Sequence, residues 1–455
     1  MRRYFIFVTA GLGLLMHSID STIIAVAFPN FITELHTNVL WAAWTISVFF
    51  IGVAMAMPLA GSLSDTFGRK RVFLISLGLF TISSVACGLA PNIYALIGFR
   101  FLQGIGGAAF LPTASGIVSD AFPESRDRAI GLFTSIYPVG GIIGPNLGGW
   151  IVSKYSWRYI FYINLPIGLV LTGLIMVLLS DSKTFSRRHI DVAGVSLMSG
   201  GLLFLMFALN IISESFSPAS IFLAAVFLAL SFSFFLLFLR QERKEAKPIL
   251  DLTLLKSTPF LAANLLNMVL GAVIFGLYSF IPFYATSVHG LSTMMSGLIL
   301  TPRSLGVIGA SAVMSFLLRR YGYRWPMVLG FSIVSFGTIF LGDDLLWSSM
   351  GTRWGAAKTL SFLILIAGIG MGIMFPATNN ACIELMPDKV ATIVGLRNTF
   401  RTIGGALGVS VITLILHLSS NPRSGFRIAF VSFALALICA IPLVFLMPDG
   451  RKEWG

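Results

Sequence analysis

The dominant pattern in this sequence is a succession of long apolar segments separated by short segments that carry the charges. A membrane-spanning helix needs about 20 consecutive, mostly apolar residues. Segments of that kind recur along the chain and predict about fourteen transmembrane helices. The predicted helices cover residues 4–28, 43–64, 71–90, 96–119, 130–152, 158–179, 190–212, 218–239, 259–285, 293–318, 325–342, 357–383, 392–417 and 425–447.

The composition agrees with a lipid environment. Of the 455 residues, 56% are hydrophobic and only 11% are charged, and the mean hydropathy is +0.90. Soluble globular proteins carry about 25% charged residues, so this chain has too little polar surface to coat a water-soluble fold of its length. We therefore predict an all-α membrane protein.

The distribution of basic residues predicts the orientation in the membrane. The net charge is +13, and most of the 31 Lys and Arg residues lie in alternate connecting segments, such as 69–71 and 240–247. This positive-inside bias places both termini in the cytoplasm and the chain in the inner membrane. Because the charges are confined to such connections, nucleic-acid binding is not expected. Arg2 and Arg3 precede an apolar segment that continues to Phe28, which favours a retained first helix over a cleaved signal peptide.

The sequence contains no signature of a cofactor or of an enzyme. Cys87, Cys382 and Cys439 lie in apolar segments without the spacing of metal ligands. No nucleotide-binding loop, zinc motif or nucleophile elbow stands out. We expect no cofactor, no metal and no enzymatic activity. The lipid bilayer is the partner that the composition indicates.

An internal repeat is visible at an offset of 264 residues. This offset pairs Gly104 and Gly106 with Gly368 and Gly370, Pro112 with Pro376, and Gly140, Gly141 and Gly144 with Gly404, Gly405 and Gly408. Such a set of matches indicates a duplicated unit of six helices. We predict two six-helix bundles, 1–182 and 258–455, with two inserted helices and a cytoplasmic linker between them at 183–257. Parallel repeats are typical of transporters that bind substrate near the membrane midplane, between the halves.

A single acidic residue, Asp20, lies well inside a predicted span. A carboxylate in the bilayer must be paired, face a cavity or be protonated. Burial favours the neutral form of a carboxyl group, so Asp20 is a candidate proton carrier. His17 lies three residues earlier on the same helical face and is a candidate to share or tune the proton. Asp20 lies roughly 12 Å below the outer end of helix 1 and Arg100 roughly 6 Å below that of helix 4, at 1.5 Å per residue. A long Arg side chain could bridge this difference, so Arg100 is the cation expected to pair with Asp20; a purely structural tie is the alternative.

The second half has cations within its predicted spans but no matching acid. Arg303, Arg397 and Arg401 could bond backbone carbonyls, pack at a cytoplasmic gate or meet an anionic part of a substrate. Four amides could line a cavity or bond neighbouring helices. These are Asn264, Asn267, Asn379 and Asn380.

Two glycine-containing segments suggest moving parts. The segment 61–71 forms a tight loop between helices 2 and 3, and its charges suit a conformational latch. The predicted latch residues are Gly61, Asp65, Gly68, Arg69 and Lys70. A second segment, on helix 5, combines small residues with a proline, which would let that helix slide or bend against a neighbour. Its residues are Gly140, Gly144, Pro145, Gly148 and Gly149.

Taken together, these motifs resemble the major facilitator superfamily, in particular its fourteen-helix drug:proton antiporter branch. The segment 61–71 is similar to the helix 2–3 motif of the superfamily, although Thr66 replaces a basic residue. Segment 100–104 resembles the proton-transfer motif, 140–149 the antiporter motif, and 19–29 the helix 1 motif of the branch, with Ala25 in place of the usual Asn. Segment 157–166, the region near Asp191 and segment 248–255 add to the likeness. The resemblance implies that Asp20 and Arg100 take part in proton coupling.

The expected function is proton-coupled export of hydrophobic or amphiphilic compounds, as in multidrug efflux by alternating access. The expected partners are therefore a small hydrophobic or amphiphilic substrate, protons and the lipid bilayer, with the chain acting as a monomer. Exporters of cationic drugs in this branch often carry further acids in the later helices, and none is seen here, which favours neutral, zwitterionic or anionic substrates. One alternative is a dedicated exporter of a single metabolite or lipid-like amphiphile. Another is a lipid-modifying membrane enzyme, which would need clustered catalytic residues that this sequence lacks.

Overall fold

A computed structural model describes residues 1–125, 129–130, 132–133, 136–179, 191–214, 217–245, 257–342, 355–385 and 390–449. The side-chain surroundings of a few residues inside these ranges, including Gly61 and Asp65, are not described. Part of the predicted linker 183–257 also falls outside these ranges. All regular secondary structure in the described part of the chain is helical, as predicted.

Eighteen α-helices follow one another along the described residues. They are α1 (Arg2–Glu34), α2 (Val39–Phe67), α3 (Arg69–Gly88), α4 (Ile93–Gly107), α5 (Phe110–Ala121), α6 (Ile136–Lys154), α7 (Tyr159–Tyr162), α8 (Asn164–Leu178), α9 (Val192–Glu214), α10 (Pro218–Lys244), α11 (Thr258–Gly271), α12 (Ile281–Ser287), α13 (Thr293–Leu298), α14 (Thr301–Tyr321), α15 (Arg324–Leu341), α16 (Ala356–Glu384), α17 (Val390–Leu418) and α18 (Pro422–Val444). Three short turns complete the order: 3₁₀ turns at Pro123–Ser125 and Leu277–Phe280, and a π turn at Ala272–Gly276.

Twelve helical segments within the described ranges are long and apolar enough to cross a membrane. They coincide with twelve of the predicted spans. Helices α6 and α9 lie at the two remaining predicted positions, 130–152 and 190–212, but they are not among the twelve. The count of fourteen spans therefore stays a prediction.

The chain divides into two compact units, Met1–Ile249 and Leu250–Gly455. The inserted helices α9 and α10 belong to the first unit, where they pack on each other and α9 packs on α2. The rings of Trp44 and Phe207 meet in that contact, with centroids 5.1 Å apart. The inserted pair α9 and α10 is thus attached to the N-terminal bundle through the contact of α9 with α2.

Among the helix starts that the structure describes, side chains cap five, and each of these starts lies on the predicted outer side. In every case an Asn or Ser oxygen accepts a hydrogen bond from a backbone N–H of the first turn, which satisfies a donor that the helix itself leaves free. The capping residues are Asn38, Asn92, Ser217, Ser292 and Asn421.

Two predicted helices are interrupted at glycines that press against another helix. The predicted span 96–119 is divided into α4 and α5 by a turn at Ala108 and Ala109. The predicted span 259–285 contains the π turn and a 3₁₀ turn instead of one continuous α-helix. Glycine lowers helix stability and allows close backbone approach, so local distortion accompanies tight packing at both places.

The glycines that revealed the repeat make corresponding contacts in the two units. In the first unit, Gly104 of α4 lies against the backbone of Phe49 in α2. In the second unit, Gly368 of α16 lies against the backbone of Arg303 in α14. Because a Cβ atom would collide at each contact, the same small residue is needed in both copies. This correspondence supports the interpretation of the offset as a duplication.

Candidate functional site

The carboxylate of Asp20 is enclosed within the first unit and fully hydrogen-bonded. Arg100 donates from Nη1 to Oδ2 at 2.7 Å. Gln103 donates from Nε2 and Asn164 from Nδ2 to Oδ1, each at 2.8 Å. The side chains of Asp20 and Arg100 are 0% and 1% exposed. The predicted Asp20–Arg100 contact is therefore present, and two uncharged amides complete it.

A second layer of hydrogen bonds fixes the groups that hold Asp20. Arg100 also donates from Nε to the carbonyl of Thr45 at 3.1 Å and from Nη1 to Oε1 of Gln103 at 2.7 Å. Asn164 donates to Oγ of Ser84 at 2.9 Å, and Ser84 donates to the carbonyl of Phe161 at 2.9 Å. A buried ion pair is tolerated only when its remaining donors and acceptors are satisfied. Here side chains and carbonyls of α2, α3, α4, α7 and α8 supply these hydrogen-bond partners.

His17 lies beside this network but is not joined to it. The residue is 6% exposed. Its ring packs among aromatic rings, with centroids 5.8 Å from Phe49 and Phe110 and 6.3 Å from Phe80 and Tyr137. Its Nδ1 atom has no hydrogen-bond partner among the described residues. Any proton exchange between His17 and Asp20 would therefore need a rearrangement.

Asn164, Ser84 and Thr45 were not assigned to the site from the sequence, and Gln103 was named only within the segment 100–104, without a role of its own. The sequence does indicate a role for Gln103 beside Arg100, because Gln103 lies one turn later on the same helical face. Asn164 and Ser84 are polar residues in otherwise apolar segments, but many such residues merely bond a backbone carbonyl of their own helix. Their convergence on Asp20 depends on helix rotation, which the pattern does not give.

The predicted latch is built around Arg69. Gly68 has φ 91°, a conformation that favours glycine, and it lets α3 begin directly after α2. Arg69 donates to the carbonyl of Gly116 and pairs with the carboxylate of Asp120. Lys70 donates to the carbonyl of Met176 at 3.2 Å. The side-chain surroundings of Asp65 and Gly61 are outside the part of the chain that the structure describes. Asp120, the partner of Arg69, was not assigned to the latch from the sequence.

The glycine-containing segment 140–149, predicted to lie on the fifth transmembrane helix, lies on α6 and packs against α1, the helix that carries Asp20. Gly140 of α6 contacts the side chain of Ser18, and Gly144 contacts the Thr22 hydroxyl. Ser18 donates to the carbonyl of Tyr137 at 2.6 Å, which ties the two helices further. The other residues of the motif are also buried in α6: Pro145, Gly148 and Gly149. Movement of α6 would therefore act directly on α1 on both sides of Asp20.

In the second unit, the four predicted amides divide into two kinds. Asn264 and Asn267 are buried and donate to the carbonyls of Phe260 and Ala263 one turn earlier, at 2.9 and 2.7 Å. Both therefore fit helix packing better than a cavity lining. Asn379 and Asn380 are partly exposed on α16.

The predicted arginines of the second unit stack on aromatic rings. The guanidinium of Arg303 lies 5.2 Å from the ring centroid of Tyr278. That of Arg401 lies 5.3 Å from Phe275 and 4.8 Å from Phe375.

A multi-pass helical protein with two compact units and an enclosed ion pair in a membrane-spanning bundle has the architecture of the membrane transporters. The family model of the Major Facilitator Superfamily matches residues 10–196, 192–409 and 303–455. The chain therefore belongs to the major facilitator superfamily.

Curated relatives and solved structures agree with this assignment. The chain is 34% identical to multidrug resistance protein 3 of Bacillus subtilis over 89% of this chain and 78% of the relative. It is 29% identical to the tetracenomycin C resistance and export protein of Streptomyces glaucescens over 89% of this chain and 74% of the relative. The fold is similar to a bacterial homologue of the lysosomal transporter Spinster (TM-score 0.68, 18% identity, 98% and 96% covered). It is also similar to the xylose transporter XylE of E. coli (TM-score 0.65, 14% identity, 99% of each chain covered).

Proposed function

We propose that this protein is a proton-coupled antiporter that exports hydrophobic or amphiphilic compounds from the cytoplasm by alternating access. It would lie in the inner membrane with both termini in the cytoplasm, as the distribution of basic residues favours. The drug resistance and export named for its relatives supports a small-molecule substrate.

The single observation that carries the proposal is the enclosed Asp20 carboxylate. Three N–H donors and the positive charge of Arg100 surround its two oxygens. Protonation would remove the charge that holds Arg100 and would weaken the contact between α1 and α4. A proton taken up from outside would in this way favour one arrangement of the bundle over the other.

The enclosure also sets a condition on the mechanism. With 0% of its side chain exposed, Asp20 cannot exchange a proton with water in this conformation. Exchange therefore belongs to another state of the cycle, in which the contacts of α1 have opened. The packing of α6 on α1 supplies a route, because a shift of α6 would displace the helix that carries Asp20.

Transport into inverted membrane vesicles tests the proposal, with an imposed pH gradient as the only energy source. Asp20→Asn should abolish gradient-driven accumulation of a fluorescent amphiphile. The matched control is Glu124→Gln, which neutralises an exposed acid in the 3₁₀ turn Pro123–Ser125 and should transport normally. Gradient-driven transport by Asp20→Asn at the wild-type rate would refute proton coupling through this residue.

Chemical labelling tests the required opening. Dicyclohexylcarbodiimide modifies protonated carboxyl groups in apolar surroundings, and mass spectrometry of the purified protein identifies the modified residue. We expect modification of Asp20 to rise at acid pH and to fall when transported substrate is present. If Asp20 stays unmodified under all conditions, including turnover, the residue is permanently sealed and cannot carry protons.

The dedicated-exporter alternative predicts different behaviour in the same vesicles. Transport would be competed only by close chemical relatives of one compound. It would also persist after collapse of the proton gradient.

A further inference from the structure

Three phenylalanine rings pack beside the hydrogen-bonded network of Asp20 and belong to three different helices. They are Phe49 of α2, Phe80 of α3 and Phe110 of α5, and each is 0% or 1% exposed. The centroids of Phe80 and Phe110 lie 5.3 Å apart, and all three rings pack on the imidazole of His17. We call Phe49, Phe80 and Phe110 the aromatic layer. Because a charge in such apolar surroundings is costly, the layer opposes the passage of ions.

The aromatic layer lies on one side of the network, about one helical turn away. In α2, Phe49 follows Thr45, whose carbonyl binds Arg100, by four residues. In α3, which crosses the membrane in the opposite direction, Phe80 precedes Ser84 of the network by four residues. Four residues of an α-helix span about 6 Å. The two helices therefore place their rings at one level.

The side on which the aromatic layer lies is the one predicted to face the cytoplasm. Helix α1 begins on that side at Arg2, and His17 precedes Asp20 along the helix. The basic residues of that end, such as Arg2 and Arg69, are the ones that predict its orientation. A proton that enters from outside and reaches Asp20 must therefore cross the level of the aromatic layer to arrive in the cytoplasm.

His17 adds an imidazole to the aromatic layer at this level. Its Nδ1 atom is buried and has no hydrogen-bond partner among the described residues, and a Cβ atom on Gly107 would lie 2.7 Å from it. Buried polar groups without a partner are rare in folded proteins and call for an explanation. An imidazole can accept a proton at one ring nitrogen and release one at the other, and His residues form proton relays in membrane proteins. His17 is therefore suited to carry a proton through the layer.

The charged and titratable groups that face His17 lie on its outer side and on α6. Asp20 follows it on α1, and Arg100 lies over the ring of Phe49, 4.1 Å from the centroid. The same ring stacks on the imidazole, with centroids 5.8 Å apart and planes inclined by 28°. Tyr137 of α6 contributes a phenol ring 6.3 Å from the imidazole. Phe49 thus contacts both the ion pair and His17, and its displacement would bring them together.

The helix that carries Arg100 also positions Phe49. Gly104 of α4 lies against the backbone of Phe49, and this contact leaves no room for a Cβ atom. Arg100 lies one turn before Gly104 on the same helix. A shift of α4 that follows the release of Arg100 from Asp20 would therefore displace the backbone of Phe49.

We propose that His17 carries the proton of Asp20 through the aromatic layer, with Phe49 as the gate. The inference rests on the proposed antiport function, in which Asp20 takes up the proton. After Arg100 has left and Phe49 has moved, the O–H proton of Asp20 passes to a ring nitrogen of neutral His17, which leaves a carboxylate and an imidazolium. The imidazolium then releases one proton to water on the cytoplasmic side. The imidazole is neutral again, and the carboxylate can pair with Arg100 once more.

The leak of protons through the purified full-length protein tests the relay without any substrate. The protein is reconstituted in liposomes that enclose a pH-sensitive dye, and a potassium gradient with valinomycin drives protons inward. The wild type should leak no faster than protein-free liposomes. Phe49→Ala should leak severalfold faster, because the gate is gone. The double variant Phe49→Ala, His17→Gln should return to the wild-type rate, because Gln cannot relay a proton.

Two further variants control for cavity formation and misfolding. Phe73→Ala is the matched control: Phe73 is 1% exposed and packs on Phe110, with centroids 5.5 Å apart. It precedes Phe80 by seven residues, about 10 Å along α3, so its removal should leave the wild-type rate. Phe49→Leu is a smaller change than Phe49→Ala and should still leak faster than the wild type.

Three results of the leak experiment would overturn the proposal. The first is a leak through Phe49→Ala that persists when His17→Gln is added. The second is a leak of equal size in Phe73→Ala. The third is a wild-type rate in both Phe49 variants.

Labelling of Asp20 separates a relay from a merely structural role of His17. In His17→Gln, Asp20 can still take up a proton from outside but cannot pass it on. We expect dicyclohexylcarbodiimide to modify Asp20 at least as much as in the wild type, while gradient-driven transport falls severalfold. Transport at the wild-type rate, or a parallel fall of labelling and transport, would contradict the relay.

The same measurements separate this inference from the proposed function. A leak of Phe49→Ala that requires His17, in a protein without gradient-driven transport, would support the relay and contradict the antiport function. Gradient-driven transport that is lost in Asp20→Asn but unchanged in His17→Gln would support the antiport function and contradict the relay.

Discussion

The guanidinium of Arg100 lies over the ring of Phe49, 4.1 Å from its centroid, and the same ring stacks on His17. Phe49 therefore separates the enclosed ion pair from the neighbouring imidazole on one side of the network. Because Arg100 also bonds Asp20, Gln103 and the carbonyl of Thr45, its charge and all of its described contacts lie within buried protein. A group so enclosed has no access to water that could replace a lost partner.

This enclosure predicts that removing one member of the pair destabilises the fold more than removing both charges. Arg100→Leu leaves an unpaired buried carboxylate and should cost about 3–5 kcal/mol. The double variant Asp20→Asn, Arg100→Leu has no buried charge and should recover part of that loss. Thermal unfolding of the purified protein, followed by tryptophan fluorescence, measures both. A double variant no more stable than Arg100→Leu would mean that the charges of Asp20 and Arg100 do not stabilise the fold as a pair.

The sequence was sufficient to identify the pair but not its surroundings. Asp20 is conspicuous because it is charged within an apolar span, and Arg100 is the cation whose long side chain can reach its depth. Asn164 and Gln103 are uncharged, and their roles depend on how α4 and α8 are rotated toward α1. The break between α4 and α5 was also missed, since apolar content continues through Ala108 and Ala109 while the distortion comes from packing.

The contact of α6 with α1 predicts that Gly144→Ala impairs transport. An added Cβ would meet the hydroxyl of Thr22 and lie 2.9 Å from the carbonyl of Ile19, so α1 would have to shift near Asp20. We expect gradient-driven transport to fall at least severalfold while the protein is still inserted in the membrane. Gly173→Ala is the matched control, because no atom lies within 4 Å of a Cβ at that position. Equal transport by the two variants would show that the helix contact tolerates a methyl group.

The contact of Arg69 with Asp120 predicts that the latch acts through charge complementarity. Arg69→Asp and Asp120→Arg should each slow efflux, because each places like charges together at the start of α3. The double exchange Arg69→Asp, Asp120→Arg should restore part of the rate. The two side chains are 27% and 66% exposed, and exposed pairs contribute about 0–1 kcal/mol to stability, so the variants should fold nearly as stably as the wild type. Efflux rates with matched melting temperatures would locate the effect in the transport cycle, whereas three equally slow variants would contradict charge pairing.

His289, in the connection between α12 and α13, predicts an acid-sensitive contribution to stability. Burial, with a smaller contribution from the charge of Arg423, lowers the pKa of His289 from 6.5 to about 4. The folded protein keeps this ring neutral against Tyr284, with centroids 4.9 Å apart, whereas an unfolded chain binds a proton below about pH 6.5. The stabilisation is therefore fully present above pH 6.5 and is lost progressively as the pH falls toward 4.

His289→Gln should accordingly reduce the drop in melting temperature between pH 7.5 and pH 5. The exposed histidine His36 supplies the control. Its φ of 47° is a backbone conformation that Asn tolerates, so His36→Asn should keep the wild-type dependence on pH. If His289→Gln and the wild type lose the same number of degrees over this range, the ring is already protonated in the folded protein or accessible to water, and its burial has no part in the acid sensitivity.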